Sequence, residues 1–201
     1  MANTVDIRGF DISTLSKDEV FAVDTNALIW THYSKASNPK LKNHSYQVID
    51  YPNFIAQLLG NGNKILTTTL NITELCGVVE RNEWNIYKAV NGKIGLKDYR
   101  KLHAERIAYQ REIDTMLKQI KLSYNNQLEV VRVDEVIIEK FKNNICANSC
   151  DIFDFAIIEH LKAIGVKNYI SDDKDYSTID NIVLYTTSAP TTVGLMTPTT
   201  S

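Results

Sequence analysis

Short apolar runs alternate along this chain with longer stretches whose apolar residues recur every three or four positions. Those two periods sort the chain into strands and helices. The runs at 21–23, 64–68, 128–133, 168–171 and 182–185 predict five strands. A helix is predicted from near Ala27, behind the capping candidates Asp24, Thr25 and Asn26. Another is opened by Pro52 at a first helical position, carries Phe54, Ile55, Leu58 and Leu59 at helical spacing, and stops at Gly60. A third starts at Asn71, read as an N-cap that Glu74 closes as a capping box, and turns Leu75, Val78 and Val79 inward. From Leu96 to Ile120 the apolar spacing runs on with no Gly or Pro, so residues 97–122 predict one helix, whole or slightly broken, roughly 40 Å long. That length exceeds what a compact core covers and suggests a protruding arm or a partner surface. Helices at 135–141 and 152–164, the latter stopped by Gly165, complete the pattern. Strands alternating with helices predict an α/β fold in three layers, a central parallel sheet of about five strands flanked by helices.

Domain limits follow from where this pattern starts and stops. Residues 1–19 are polar and mixed and read as an N-terminal extension; 20–186 hold the domain, including a basic helical arm at about 81–123. Of the sixteen residues from 186 on, eleven are Thr, Ser or Pro, so 187–201 read as a disordered tail without core material. With 201 residues, 44% apolar and 23% charged, the chain has the makings of one globular domain. No stretch has the apolar length of a membrane span, and the N-terminus lacks the basic-then-apolar order of a signal peptide, so a cytoplasmic protein with no membrane partner is expected. Cys76, Cys146 and Cys150 are odd in number and match neither a disulfide framework nor, with the four histidines, a zinc-finger spacing. A net charge of −2 does not mark a nucleic-acid binder, but residues 81–121 hold ten basic residues against five acidic ones. That stretch, with Lys97, Arg100, Lys101 and Arg106 at its centre, suits a phosphate backbone. A solvated helix face of paired neighbours, such as Asp98 with Lys101, accounts for it equally well.

Candidate chemistry lies in acids placed behind the apolar runs: Asp24 after Phe21-Ala22-Val23, Glu74 after Ile65-Leu66, and Asp172 and Asp173 after Tyr169-Ile170. Asp154 opens the apolar stretch Phe155-Ala156-Ile157-Ile158 behind the polar segment Asn148-Ser149-Cys150-Asp151. In a parallel sheet the strands' C-terminal ends share one edge, where distant acids can converge. Converging carboxylates repel unless a cation sits among them, and an all-oxygen donor set suits a hard ion such as Mg²⁺ or Mn²⁺. Asp24 and Asp151 also fit helix caps, and Asp172, Asp173 and Asp175 compete for one role, with Asp172 expected to be exposed. Thr25, Asn26, Thr69 and Ser171 are placed to orient carboxylates by hydrogen bonds, and His103 and His160 read as helix-surface residues.

Four motifs carry a resemblance. Phe21-Ala22-Val23-Asp24-Thr25-Asn26, Thr67-Thr68-Thr69-Leu70-Asn71-Ile72-Thr73-Glu74-Leu75, Asp154-Phe155-Ala156-Ile157-Ile158 and Ser171-Asp172-Asp173-Lys174-Asp175-Tyr176 stand in order, each at its expected place in the α/β pattern. Together, from about Val20 to Thr186, they resemble PIN-domain ribonucleases, including the toxin halves of VapBC-type toxin–antitoxin pairs. In the last motif, Ser171 and Tyr176 stand where that family usually has Thr and Phe. The resemblance implies a metal-dependent endoribonuclease. Asp24, Glu74, Asp154 and Asp173 would be its catalytic metal ligands, and Asn26, Thr25, Ser171, Asp175 and Asp151 its supporting residues. It further implies RNA as substrate, with tRNA and rRNA as candidates, an antitoxin protein as partner, and a homodimer paired through helices. A noncatalytic PIN-like RNA-binding module is the alternative. A receiver-type signalling domain fits less well, since it wants adjacent acids after its first strand and a Lys after its last core strand.

Overall fold

Apolar runs become strands and spaced apolar stretches become helices in a computed structural model that describes residues 1–42, 44–147 and 149–188. In chain order the strands are β1 (Asn3–Asp6), β2 (Val20–Val23), β3 (Lys64–Thr68), β4 (Leu128–Glu129), β5 (Asn168–Ile170) and β6 (Val183–Thr186). The helices are α1 (Thr25–His32), α2 (Gln47–Asn61), α3 (Thr69–Asn91), α4 (Leu96–Tyr99), α5 (His103–Ser123), α6 (Glu135–Asn144) and α7 (Ile152–Ala163). All six strands pair in parallel, in the order β1-β6-β5-β2-β3-β4. Strand parity separates two cores. Phe21, Val23, Ile65, Ile170 and Tyr185 point to the face covered by α1, α2, α3 and α5, while Ala22, Leu66, Tyr169 and Leu184 point to the face covered by α7. The fold is therefore α/β with a parallel sheet between helical layers, one strand wider than the pattern predicts.

The extra strand comes from the segment read as an extension. β1 lies beside β6 with Asn3 opposite Val183 and Asp6 opposite Thr186, and Ile7 is buried behind it. Edge strands need few apolar residues, so Thr4-Val5-Asp6 reads as polar although it pairs. At the other end, Thr187 is buried and joined to Tyr51, so the fold runs past the limit of 186; the expected tail from 189 on, like Asn148, lies outside the described residues.

Helix boundaries moved where tertiary contacts outweighed local signals. α2 begins five residues before Pro52, with Tyr46 and Gln47 anchored on Asp172 across the sheet edge, and it ends at Gly62 (φ 94°) rather than Gly60. α3 begins at Thr69, and its capping box joins Thr68 and Asn71 rather than Asn71 and Glu74. The long helix is broken at Arg100–Leu102, and its second part is no protruding arm: Met116 and Ile120 are buried against α1 and α3. The break has an electrostatic reason. Arg100 and Arg106 converge on the buried Glu80, at 2.9 Å from Nε and 2.7 Å from Nη1, whereas six residues of continuous helix would leave them about 120° apart around the axis. β4 is two residues long, much less than the apolar run 128–133 predicts.

Between α1 and the end of α5, the His32 Nε2 lies 2.9 Å from the Tyr124 hydroxyl. Burial pushes the imidazole down to about 4, against a smaller upward pull from the Gln119 side chain. The native state keeps His32 neutral while the unfolded chain takes up a proton near pH 6.5, so this contribution to stability is lost as pH falls from about 6.5 to about 4. The full effect is at most about 3 kcal/mol. Urea melts at pH 7 and pH 5 should show a smaller loss on acidification in His32→Gln than in the wild type; equal losses would remove His32 as the cause.

Candidate active site at the carboxyl edge of the sheet

β2 stands at the centre of the sheet, and the residue after it, Asp24, is still paired through its backbone with β5, at 3.0 Å from the Ile170 carbonyl. From there the chain turns into α1, and the Asp24 carboxylate caps that turn by accepting from the Thr25 N–H at 2.7 Å. Its second oxygen accepts from the buried Ser171 hydroxyl at 3.0 Å, and the Ser171 oxygen accepts in turn from the Asp173 N–H at 3.0 Å. Capping and site formation are thus two uses of one carboxylate, since the side chain is held from both strand ends. This is where the chain connections leave a parallel sheet in opposite directions, the place where such sheets form a crevice.

Thr25 links the second acid. Its hydroxyl donates to the Glu74 carboxylate at 2.7 Å and accepts from the Asn71 side-chain amide at 3.2 Å, so the α3 capping residue also holds the group that orients Glu74. Glu74 is otherwise exposed on the second turn of α3. On the other side of the sheet, Asp151 caps α7 through the N–H groups of Phe153 and Asp154. This fixes the turn from which Asp154 projects, half-buried, with the Tyr176 hydroxyl 3.5 Å away. Asp173 caps the 3₁₀ turn Lys174–Thr178 by accepting from the Asp175 N–H at 2.9 Å.

These acids feel one another. Burial, then the charges of Glu74 and Asp173, push the Asp24 carboxyl up to about 6. Burial, then Asp24, Asp151, Asp173 and Glu74, push Asp154 up to about 7. Four carboxylates from four separate segments therefore lie within electrostatic reach of one another. In the side-chain positions shown, no three His, Cys, Asp or Glu residues among the described residues close on a common point at metal-binding distance.

The remaining expected residues divide. Asn26 is exposed, lining a neighbouring cleft with Lys42 and Asp173, and Thr69 is exposed on α3. Asp172, expected to be exposed, is instead a hub: Tyr46, Gln47, Tyr51, Thr187 and Ser188 all donate to it. These bonds hold its carboxyl below the usual range although partial burial pulls the other way. Asp172→Ala would take from the buried Tyr51 hydroxyl its shortest acceptor, leaving it Ser171 and Thr186 at 3.4 Å, and would remove the acceptor of the Thr187 hydroxyl, for an expected loss of about 2 kcal/mol in urea unfolding, with Asp172→Asn losing less. His103 is exposed as expected, but His160 is half-buried and its Nε2 has no hydrogen-bond partner among the described residues. Lys97 is exposed, Lys101 pairs with Asp98, and Arg100 and Arg106 serve Glu80. Asn71 and Tyr176 join the site without having been singled out for it. In the sequence Tyr176 is legible only as the last residue of a motif, and Asn71 only as a cap.

No protein-family model and no protein of curated function matches the chain. Among solved structures, it is similar to VapBC2 from Rickettsia felis bound to a DNA fragment from its promoter, at 15% identity and a TM-score of 0.44, covering 83% of this chain and 98% of that one. It is also similar to FitAB bound to an IR36 DNA fragment, at 12% identity and a TM-score of 0.48, covering 83% of this chain and 94% of that one. At such identities and scores these likenesses add nothing to the chemistry of the site, which rests on its own residues.

Proposed function

We propose that this protein is a metal-dependent endoribonuclease, with Asp24, Glu74, Asp154 and Asp173 as the ligands of Mg²⁺ or Mn²⁺. One observation carries the reading: four carboxylates, from four segments, gathered at the carboxyl edge of the sheet with no ion-pair partner among the described residues, and two of them pushed up in pKa by burial and by the others. An uncompensated acid cluster of this kind is costly to fold, and a hard divalent cation is what relieves it. The donors are all oxygen, as that ion prefers. When bound, it lowers the pKa of a water and neutralises charge at the scissile phosphate.

The chain's own residues then have defined tasks. Ser171 and the Thr25 N–H fix the Asp24 carboxylate, the Thr25 hydroxyl aims Glu74, and the Asp151 cap sets the direction of Asp154. RNA as the substrate, a toxin role with an antitoxin partner, a homodimer and a cytoplasmic setting come from the resemblance of the four motifs and are part of the proposal. Total RNA and tRNA incubated with the protein in Mg²⁺, Mn²⁺ or EDTA test it. Discrete cuts should occur with metal only and fall about 100- to 1,000-fold in Asp24→Asn, the order expected when a central electrostatic group is removed. Intact RNA that the protein nevertheless binds would favour the noncatalytic module.

A further inference from the structure

Beside the acids, a groove of about 370 Å³ runs between α3 and the first turns of α7. Residues 70, 73, 74, 77 and 81 stand three or four apart, so they form one stripe of α3, and that stripe faces Asp151, Phe153, Asp154 and Ile157. Glu74 and Asp154 lie in this groove, which is otherwise floored by Leu70 and Ile157. At Gly77 no side chain narrows it: a Cβ added there would sit 3.7 Å from the Arg81 guanidinium, so Arg81 reaches back along the groove over its floor.

Two side chains in this groove stand out among the described residues. Phe153 is 61% exposed, although it lies next to Asp154 on a turn held rigid by the Asp151 cap. Arg81 has no hydrogen-bond or ion-pair partner among the described residues, whereas Arg100 and Arg106 nearby in the chain are both held by Glu80.

We infer that this groove is a subsite for one unpaired nucleobase of an RNA strand, stacked on Phe153 and hydrogen-bonded at its edge by Arg81. The inference rests on the nuclease reading for the placement of the adjoining phosphate at the carboxylates. Size limits the occupant, since the groove is near the lower end of the roughly 300–1,000 Å³ of single-ligand pockets, too small for a duplex or a folded partner. Charge limits it further. Three acids, Glu74 on one wall and Asp151 and Asp154 on the other, repel a bare phosphate or an acidic peptide, whereas a base is uncharged, planar and apolar on its faces. Sequence-selective RNA recognition uses this pairing of an aromatic or guanidinium platform with contacts to a splayed base edge. Guanine is the base of choice for a probe, because its O6 and N7 together accept two hydrogen bonds from one guanidinium.

The test uses the full chain carrying Asp24→Asn to prevent cleavage and Phe153→Trp as a fluorescent reporter. It is titrated with a five-nucleotide RNA bearing one central guanosine, and with the same strand made abasic at that position. Phe153 is exposed and Asp24→Asn keeps the size of the buried side chain, so the fold should persist, which circular dichroism checks. The intact strand should quench the tryptophan and bind about tenfold more tightly than the abasic one, the lower part of what one stacked base contributes. Adding Arg81→Ala should weaken the intact strand several-fold and leave the abasic strand unchanged. Equal affinity for the two strands would overturn the subsite, as would quenching by a basic peptide in place of either strand. Failure of the subsite and failure of the nuclease reading separate cleanly. Metal-dependent cleavage unaffected by Phe153→Ala or Arg81→Ala sinks the subsite alone, while base-dependent quenching by a protein that never cuts RNA sinks the nuclease alone.

Discussion

Without divalent metal at pH 8, Asp24→Asn is expected to melt about 4–8 °C above the wild type, although the same change should end cleavage. Asp24 is 8% exposed, and its carboxyl is pushed up to about 6 from 3.8 by burial and by Glu74 and Asp173, so its ionised form is disfavoured in the native state by up to about 3 kcal/mol. An amide keeps the useful bonds: its oxygen still accepts from the Thr25 N–H, and its nitrogen can donate to Ser171 in place of the bond now received. A net gain of about 2 kcal/mol in a chain of this size corresponds to that shift in melting temperature. Metal should reverse the order. At 100-fold above its Kd, Mg²⁺ or Mn²⁺ stabilises a protein that binds it only when folded by about 3 kcal/mol, a gain the variant lacks. Differential scanning calorimetry with EDTA and then with metal reads both halves. A variant that melts below the wild type in EDTA would show that Asp24 serves the fold as a cap first and that the acid cluster carries no repulsion.

Removal of residues 1–7 is expected to cost about 4 kcal/mol or more and to promote aggregation. The deletion strips β1 from β6 along the register Asn3–Val183 to Asp6–Thr186, together with bonds such as that from the Ile7 N–H to the Thr186 carbonyl. It also removes the buried Ile7 side chain, worth about 2 kcal/mol by itself, and several backbone hydrogen bonds worth roughly 0.5–1.5 kcal/mol each. β6 would then become an open edge, and exposed edges pair with other chains. Urea unfolding of the truncated chain, with light scattering alongside, measures both effects. An unchanged midpoint would mean that β1 is an accessory strand, as its composition suggests.

The contrast between β1 and β3 shows what could be read beforehand. β3 is found at the residues its pattern predicts, because an interior strand covered on both faces carries consecutive apolar residues, as Ile65 and Leu66 are. An edge strand is under no such demand, and nothing local separates Asn3–Asp6 from a loop. The same distinction governs the charged residues. Arg100 and Arg106 in a basic stretch look like phosphate contacts until the chain break brings both to Glu80. Asp172, beside Asp173, looks like a spare surface acid until α2 and the segment after β6 supply its donors.

By itself the sequence determined the alternation of strands and helices, the placement of Asp24, Glu74, Asp154 and Asp173 close behind strand ends or at a helix start, and the all-oxygen character of any site they form, because these depend on local periodicity and side-chain chemistry. Only the tertiary structure decided which basic residues are occupied within the fold and which, like Arg81, are left over, and that the N-terminus is a strand. It also decided that Thr25, Asn71 and Ser171 tie the acids to one another. Those outcomes depend on which distant segments meet, and hydrogen bonds across 49, 46 and 147 residues of chain leave no periodic trace in the sequence.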